Sequence, residues 1–201
     1  MLRLADPSDG ARLAAIYAPA VTDRATSFEL TAPDAAEMAR RVTTLLARTP
    51  WLVAEDDDGL VIGYAYASPH RDRPAYQWSV EVSAYIDAGL HRTGQGRALY
   101  SALFRILELQ GFVNAYAGIT LPNPASEGFH RAMGFEEIGV YRGIGQKFGR
   151  WHDVLWLHRP LAPQLPGVQP PRALPELLER GDLGGVATGA ARDSLASRIP
   201  R

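Results

Sequence analysis

The sequence of 201 residues contains no cysteine. Disulfide bonds, thiolate metal sites and a cysteine nucleophile are therefore excluded. No uninterrupted apolar run approaches the roughly 20 residues that a helix needs to cross a bilayer. The N-terminus, Met-Leu-Arg-Leu-Ala-Asp-Pro, also lacks the apolar core of a signal peptide. We therefore expect a cytoplasmic protein without a membrane partner.

An excess of basic residues is also missing. Lysines and arginines number 21 against 22 acidic residues, which gives a formal net charge of −1. Domains that bind nucleic acid usually carry a basic excess, so we expect no nucleic-acid partner. The chain is 46% hydrophobic and 21% charged, which is typical of a globular protein whose core supports one domain.

Hydrophobic periodicity predicts helices and strands in the first 160 residues. Apolar residues recur at helical spacing in residues 7–21, 33–48, 97–110 and 125–133, and strand-like patterns occupy 51–55, 60–66, 78–86, 112–121, 135–141 and 151–158. Asp56-Asp-Asp-Gly59 predicts a hairpin turn, and Gly143 to Arg150 is interpreted as a long glycine-rich connection. The order α-α-β-β-β-α-β-α-β-β predicts a mixed α/β fold with a central sheet.

The composition changes after residue 160. Seven prolines and five glycines lie between Pro160 and the C-terminus. Such a composition is typical of segments that bury too little apolar surface to fold. We expect residues 1–160 to form the domain and residues 161–201 to form a largely disordered tail, with a helical turn or two over Pro175 to Arg180.

A short glycine loop, His91-Arg-Thr-Gly-Gln-Gly96, joins the strand at 78–86 to the helix at 97–110. Glycines let a ligand approach the backbone, and the first turn of a helix offers unpaired N–H groups to an anion. Arg92 and Arg97 add positive charge. The loop is neither a Walker sequence nor a dinucleotide fingerprint, so by itself it fits both a plain turn and a phosphate site.

This loop resembles the pyrophosphate loop of the GCN5-related N-acetyltransferases (GNAT), with His91 where that family usually has Gln or Arg. Leu121-Pro-Asn-Pro-Ala-Ser126 and Phe129-His-Arg-Ala-Met-Gly-Phe135 resemble two further segments of the family. The resemblance implies the GNAT fold, in which helices flank a central mixed, mostly antiparallel sheet whose strands splay apart at the acetyl-CoA site.

Within this superfamily, residues 1–160 resemble the phosphinothricin N-acetyltransferases. The matching segments are Pro50-Trp-Leu-Val-Ala-Glu55, Ala75-Tyr76, Trp78 with Glu81, Arg92-Thr-Gly94, Leu107-Glu-Leu-Gln-Gly-Phe112 and Lys147-Phe-Gly-Arg-Trp-His-Asp153. The resemblance implies a homodimer that acetylates the α-amine of a small amino-acid analogue such as phosphinothricin, methionine sulfone or methionine sulfoximine. An enzyme for another amine, such as a protein N-terminus or a polyamine, and a non-catalytic acyl-CoA-binding module are the alternatives.

The resemblance also implies the residues that hold acetyl-CoA. The backbone of Tyr85, Ile86 and Asp87 is expected beside the pantetheine arm, and Asn123 is expected to bind that arm. The pyrophosphate is expected on the amides of the glycine loop and the following turn, which are those of Arg92, Thr93, Gly94, Gln95, Gly96, Arg97 and Ala98.

Two residues are candidates for the chemistry. An ammonium group has no lone pair, so acetyl transfer needs a base. Glu81 matches the position of the base in the related enzymes, although its strand pattern alone indicates a solvated face. His130 lies where many acetyltransferases have a tyrosine that protonates the leaving thiolate. Histidine can do the same, or His130 packs in the core or positions the substrate. Without cysteine, direct attack in a ternary complex is the economical mechanism.

Arg71 and Arg73 match a substrate loop of the related enzymes. Guanidinium groups suit a carboxylate and a polar tetrahedral head group, so these arginines are expected to bind substrate. Phe28 is either a core contact or a pocket wall, and Trp151 is a candidate pocket wall. The histidines show no metal-ligand spacing, so no metal site is expected.

Overall fold

The computed structural model describes residues 1–90 and 93–181, and within them one sheet of seven strands is flanked by helices. The strands are β1 (Leu2–Leu4), β2 (Trp51–Glu55), β3 (Val61–Pro69), β4 (Ser79–Ile86), β5 (Asn114–Thr120), β6 (Glu136–Lys147) and β7 (Arg150–Pro160). The helices are α1 (Gly10–Thr22), α2 (Ala35–Leu46), α3 (Gln95–Gln110), α4 (Pro124–Ala132) and α5 (Leu174–Arg180). In the part of the chain so described, no helix has the length and apolarity that crossing a membrane requires.

The sheet has the order β1-β2-β3-β4-β5-β7-β6, and β4 with β5 is its parallel pair. The neighbouring pairs are antiparallel, so the predicted mixed, mostly antiparallel sheet is confirmed. The ladder between β4 and β5 runs from Ser79–Asn114 to Glu81–Tyr116. Beyond it β4 continues to Ile86 and β5 to Thr120. The two strands therefore splay apart toward their C-terminal ends.

The alternation predicted for β4 decides which face of the sheet carries Glu81. Val80 and Val82 are buried, whereas Glu81 and Ser83 are only half-buried. Tyr85 lies on the same face as Glu81, because side chains two residues apart share a face, and its ring packs edge-on against Tyr17 of α1 with the ring centroids 4.9 Å apart. Glu81 therefore lies on the face that α1 covers further along the strand.

The last two strands are longer than predicted. The segment from Gly143 to Arg150 is not an irregular connection, because β6 continues to Lys147 and β7 begins at Arg150. Phe148 and Gly149 form the turn with φ values of 51° and 75°, the left-handed region typical of two-residue hairpin loops. The short strand β1 was not predicted, because three residues are too few to show a period.

Residues 161–181 are part of the fold, so the expectation that the chain leaves the domain at residue 161 is wrong for this segment. Leu174 and Leu177 of α5 are fully buried in the core. The backbone N–H of Leu174 donates to the Arg48 carbonyl at 3.1 Å, and that of Arg172 donates to the Gln110 carbonyl at 2.8 Å. Burial of two leucines stabilises the segment despite its proline content. The expectation for residues 182–201 lies outside the described residues.

Candidate active site

The splay between β4 and β5 opens into a cavity of about 370 Å³. It is lined by residues 82–88 of β4 and the turn after it, by Gly118, Ile119 and Thr120 of β5, and by side chains from α1, α3 and α4. A second cavity of about 740 Å³ lies between the end of β4, the glycine loop and α4. Ala84, Ile86, Ala125, Ser126 and His130 line both cavities. The two cavities therefore adjoin and form one groove.

Most of the residues predicted to hold the cofactor line this groove. Tyr85, Ile86, Asp87 and Asn123 line the first cavity, and the segment 93–97 lines the second. The Asp87 carboxylate is paired with Arg12, so its side chain is already engaged and its backbone is the part beside the groove. Arg92 lies outside the described residues.

The glycine loop meets α3 in the geometry that an anion site needs. Gly94 caps the helix with φ 88°, in the left-handed region, and no heavy atom lies within 4 Å of the position that a Cβ would take there. The helix begins at Gln95, so the amides of its first turn precede the intrahelical hydrogen bonds. The Ala98 amide is different because it donates to the Gly94 carbonyl at 3.1 Å. Ala98 is therefore a poor candidate for the pyrophosphate.

Glu81 lies at the closed end of the splay, where the β4–β5 ladder stops, and it does not line either cavity. Its side chain is 37% exposed, and its Oε2 lies 3.7 Å from Nδ1 of His70. Partial burial raises the pKa of Glu81, and the nearby Arg71 acts in the opposite direction. A partly buried carboxylate with a raised pKa is a candidate for proton transfer.

His130 is buried, and both nitrogens of its ring are hydrogen-bonded. Its Nδ1 lies 2.8 Å from the Ser126 carbonyl oxygen, so Nδ1 carries the proton and donates it there. The Tyr100 hydroxyl lies 3.0 Å from Nε2, which accepts its hydrogen bond. Burial lowers the pKa of His130, against the opposing effect of the Ser126 hydrogen bond. A neutral imidazole whose Nε2 is already an acceptor is poorly arranged to protonate a thiolate.

The two arginines of the predicted substrate loop are exposed. Within residues 1–90 and 93–181, neither Arg71 nor Arg73 forms an ion pair. Arg71 is close enough to Glu81 and His70 to lower the pKa of both groups. At least one cation of this loop therefore lies beside the candidate base.

Phe28 and Trp151 do not line the two cavities of the groove. The Phe28 ring packs on the hairpin of β6 and β7, so closely that a Cβ at Gly145 would lie 2.3 Å from it. This packing favours the core-contact interpretation of Phe28. Trp151 is 70% exposed on β7, opposite Gln146 of β6.

Lys147 is a structural residue that the sequence analysis missed. Its side chain is buried, and its Nζ donates to the carbonyl oxygens of Ser27 and Glu29, each at 2.7 Å. Burial lowers the pKa of this amine. These two hydrogen bonds connect the loop between α1 and α2 to the hairpin of β6 and β7. No local sequence pattern could predict them, because the carbonyl groups are 120 and 118 residues away along the chain.

His70 and Tyr100 were also missed, because their significance depends on neighbours from other elements. Tyr100 falls on the buried face of α3, where an aromatic residue predicts only packing. His70 follows β3 directly and looks like an ordinary loop residue.

In the part of the chain that the structure describes, no group of three or more histidine or acidic side chains could hold a metal ion.

Comparison with known proteins gives consistent results. The family described as Acetyltransferase (GNAT) domain matches residues 2–156. A phosphinothricin N-acetyltransferase of Alcaligenes faecalis is 40% identical over 162 residues, which cover 80% of this chain and 82% of the relative. An L-methionine sulfoximine/L-methionine sulfone acetyltransferase of Pseudomonas paraeruginosa is 35% identical over 166 residues, which cover 81% and 95%.

A solved structure extends this similarity to three dimensions. The phosphinothricin acetyltransferase (Pat) from Sinorhizobium meliloti in complex with AcCoA superposes with a TM-score of 0.78 at 38% identity. The match covers 87% of this chain and 97% of that one. The family match spans β1 to β7 and includes the splayed strands, the glycine loop and Glu81. This chain therefore belongs to the GNAT acetyltransferase family.

Proposed function

We propose that this protein transfers the acetyl group of acetyl-CoA to the α-amine of a small amino-acid analogue of the phosphinothricin, methionine sulfone or methionine sulfoximine type. One observation carries the proposal. The groove between β4 and β5 has a glycine-capped helix N-terminus at one end, and a half-buried carboxylate, Glu81, lies beyond its other end, where the β4–β5 ladder stops. The names of the relatives support the same substrate class.

Binding of acetyl-CoA uses mostly backbone groups. The pantetheine arm lies along Tyr85, Ile86 and Asp87 and beside Asn123, all of which line the first cavity. The pyrophosphate lies at Gly94 and on the first-turn amides of α3, where the helix dipole favours an anion. The open space at the Gly94 Cβ position suits this close approach. Once bound, acetyl-CoA supplies an activated acetyl group as a thioester.

Glu81 acts as the base. It removes a proton from the substrate ammonium, directly or through a water molecule, and so frees the lone pair of the amine. The amine then takes the acetyl group directly, since no cysteine is present to form an acyl-thioenzyme. The raised pKa of Glu81 supports this role because proton transfer is most efficient when the pKa of the base approaches the working pH.

His130 acts through Tyr100 and is a positioning residue. The Tyr100 hydroxyl donates to Nε2 of His130, and both side chains line the first cavity. The imidazole thereby fixes the phenol at the cavity wall, while its own Nδ1 is held by Ser126. This arrangement supports a packing and positioning role for His130, exerted on Tyr100 rather than on the substrate directly, over protonation of the thiolate.

Arg71 and Arg73 select the substrate. Two exposed cations that form no ion pair among the described residues precede the strand that carries Glu81. They would attract the carboxylate and head group of a doubly polar amino acid, and they would repel a polyamine. Trp151, exposed on the hairpin, is the candidate for the outer wall of the substrate site, whereas Phe28 packs on that hairpin as a core contact.

We also propose that the protein is a homodimer that associates through the hairpin of β6 and β7. The edge strand β6 ends the sheet, and the hairpin exposes a set of large apolar side chains. They are Ile138, Tyr141, Ile144, Phe148 and Trp151, which are 47% to 70% exposed. Exposed edges and apolar patches favour association. Light scattering should return twice the 21.9 kDa of one chain, and a monomer at micromolar concentration would contradict the proposal.

One assay tests the function. Acetyl-CoA consumption is measured against phosphinothricin, methionine sulfone, methionine sulfoximine, ordinary amino acids, spermidine and an aminoglycoside. We expect turnover with phosphinothricin, methionine sulfone and methionine sulfoximine, and none with the polycations. Turnover confined to spermidine or the aminoglycoside would overturn the substrate class, and CoA binding without turnover of any amine would indicate a binding module.

A further inference from the structure

Arg24 brings a positive charge to the first cavity of the groove. Among the described residues that line this cavity, two carry a full charge, Arg24 and Asp87. The Asp87 carboxylate is paired with Arg12, whereas Arg24 is exposed and forms no ion pair within residues 1–90 and 93–181. Its guanidinium is therefore available to a polar or anionic group of a bound molecule.

The packing of α1 against β4 shows which end of the cavity Arg24 occupies. Arg12 pairs with Asp87, and Tyr17 packs against Tyr85, so α1 runs antiparallel to the last part of β4. A helix advances about 1.5 Å per residue, and a strand advances about 3.3 Å per residue. About two residues of α1 therefore correspond to one residue of β4.

This correspondence places Arg24 at the end of the cavity nearer to Glu81. Helix α1 ends at Thr22, level with Ser83 by the same rise, and Arg24 lies in the loop that follows. The lining of the cavity agrees, because it includes Arg24 together with Val82 and Ser83. Arg24 is thus at the end where the substrate amine must meet the base.

Hydrogen bonds hold the loop on both sides of Arg24. The backbone N–H of Asp23 donates to the Pro19 carbonyl at 3.2 Å, and that of Ser27 donates to the Ala20 carbonyl at 3.2 Å. The Asp23 carboxylate accepts a hydrogen bond from the Thr22 hydroxyl at 2.6 Å. A loop with fixed ends presents its side chains in advance, which lowers the entropy lost when a ligand binds.

The proposed substrate offers two groups to a cation. The α-carboxylate is attached to the same carbon as the amine, so it stays beside Glu81 when the amine is there. Arg71 is close enough to Glu81 to act on it electrostatically, which places Arg71 within reach of that carboxylate. The head group lies a few bonds farther from the amine. Arg24 approaches from a different element, the end of α1, and is therefore suited to the more distant group.

We propose that Arg24 binds the head group of the substrate and determines the preference for analogues with a charged or strongly polar head group. The proposal rests on the acetyl transfer proposed above and involves no covalent step. A guanidinium donates two parallel hydrogen bonds to the oxygens of a phosphinate and weaker ones to the neutral oxygens of a sulfone. Methionine has the carbon chain of methionine sulfone without those oxygens, so it offers Arg24 no acceptor of this kind.

The test compares three substrates in Arg24→Ala. We expect kcat/KM to fall by about tenfold or more for phosphinothricin, the scale of hydrogen bonds to a charged group, and by only a few-fold for methionine sulfone. The value for methionine should not change, and neither should the KM for acetyl-CoA. Methionine is measured as a substrate or, where its turnover is too slow, as a competitive inhibitor. Arg24→Lys keeps the charge without the planar fork and should retain part of the preference for phosphinothricin.

Arg40→Ala is the matched control. Arg40 is an exposed arginine on the neighbouring helix α2, where it pairs with Glu37, and it does not line the first cavity. We expect wild-type kinetics with all three substrates in this variant. Equal losses with phosphinothricin and methionine in Arg24→Ala would show that Arg24 does not recognise the head group. A raised KM for acetyl-CoA would assign Arg24 to the cofactor, and wild-type kinetics would make it a solvated residue; each result overturns the proposal.

A binding measurement separates this proposal from the proposed function. Glu81→Gln should bind phosphinothricin in the presence of CoA without turning it over, and adding Arg24→Ala to it should weaken that binding by about tenfold or more in calorimetry. A wild-type protein that is inactive on the whole amine panel would overturn the acetyl transfer and, with it, this proposal. An active wild-type protein whose Arg24→Ala variant keeps the same preference for phosphinothricin over methionine would overturn the role of Arg24 alone.

Discussion

The two ends of the groove are built in different ways. The end at α3 consists of backbone, with a left-handed glycine and the amides of one helical turn, all within a few consecutive residues. The end at Glu81 consists of side chains that the sheet brings together, with His70 after β3, Glu81 on β4 and Tyr116 on β5. A site built from backbone tolerates change in most of its side chains, whereas a site built from side chains depends on each of them.

The largest expected effect of a single change is therefore at the side-chain end. Glu81→Gln keeps the shape and removes the proton acceptor, so kcat should fall by about two to four orders of magnitude. CoA affinity, which is provided at the other end, should not change. Steady-state kinetics and calorimetry measure the two quantities, and Glu136→Gln, an exposed carboxylate on β6, serves as the control. Turnover near the wild-type value would mean that Glu81 is not the base but an ordinary residue on a solvated face of the sheet.

The same residue predicts the direction of the pH dependence. The active form of Glu81 is the carboxylate, and burial raises its pKa above the ordinary 4.5. The kcat/KM of the wild-type protein should therefore fall as the pH decreases through that raised value, at a higher pH than an ordinary carboxyl group would give. The acidic limb should be absent from the profile of Glu81→Gln. If kcat/KM of the variant still decreases at low pH, another titratable group causes that decrease.

The arginines test whether the side-chain end also selects the substrate. Arg71→Ala and Arg73→Ala each remove an exposed guanidinium from the loop before β4. The KM for phosphinothricin should rise by the equivalent of about 1.5–3 kcal/mol, the scale of a hydrogen bond to a charged group. The KM for acetyl-CoA should stay as it is. Arg105→Ala on α3 is the control, and unchanged kinetics in both loop variants would reopen the question of the substrate.

This contrast also explains what could be predicted from the sequence. The glycine loop and the alternation of β4 depend on neighbours along the chain, so a helix directly after the loop and the face of β4 that Glu81 shares with Ser83 and Tyr85 followed from local pattern. The local pattern placed the helix start at residue 97, two residues late, and it indicated a solvated face for Glu81, which is in fact partly buried. The contact of His70 with Glu81 depends on the register that places Ser68 opposite Glu81, and no local pattern contains that register. Residues 161–181 were missed for a similar reason, because only the finished core accommodates Leu174 and Leu177.

The backbone end of the groove can be tested at Gly94, the residue whose lack of a side chain matters most there. In Gly94→Val the residue must adopt φ near 88° with a β-branched side chain, a strain of about 1–3 kcal/mol. The valine would also occupy the space that the pyrophosphate needs. The strain lowers the stability of the fold, whereas the blocked approach lowers CoA affinity. By calorimetry this affinity should fall by about tenfold or more, the scale of one lost hydrogen bond to a charged group.

Gly59→Val supplies the matched control for the glycine loop. Gly59 has φ 79° and, like Gly94, no heavy atom within 4 Å of the Cβ position, but it lies in the hairpin turn between β2 and β3. Both variants should lose comparable stability. Only Gly94→Val should lose CoA affinity, and equal affinities in the two variants would place the pyrophosphate elsewhere.

The smallest effect is expected where the two ends of the groove meet, at Tyr100 and His130. Tyr100→Phe removes the hydroxyl that donates to Nε2 of His130 at 3.0 Å and leaves a buried acceptor unpaired, at a cost of about 1–3 kcal/mol in unfolding free energy. If His130 acts through Tyr100, turnover falls a few-fold, and His130→Ala adds little to the loss in the double variant, because both changes remove one unit. If His130 is itself the acid, freeing its Nε2 leaves turnover unchanged or raises it, while His130→Ala alone abolishes it. Kinetics of the two single variants and the double variant distinguish these outcomes, and denaturant unfolding of each variant separates the loss of stability from the loss of activity.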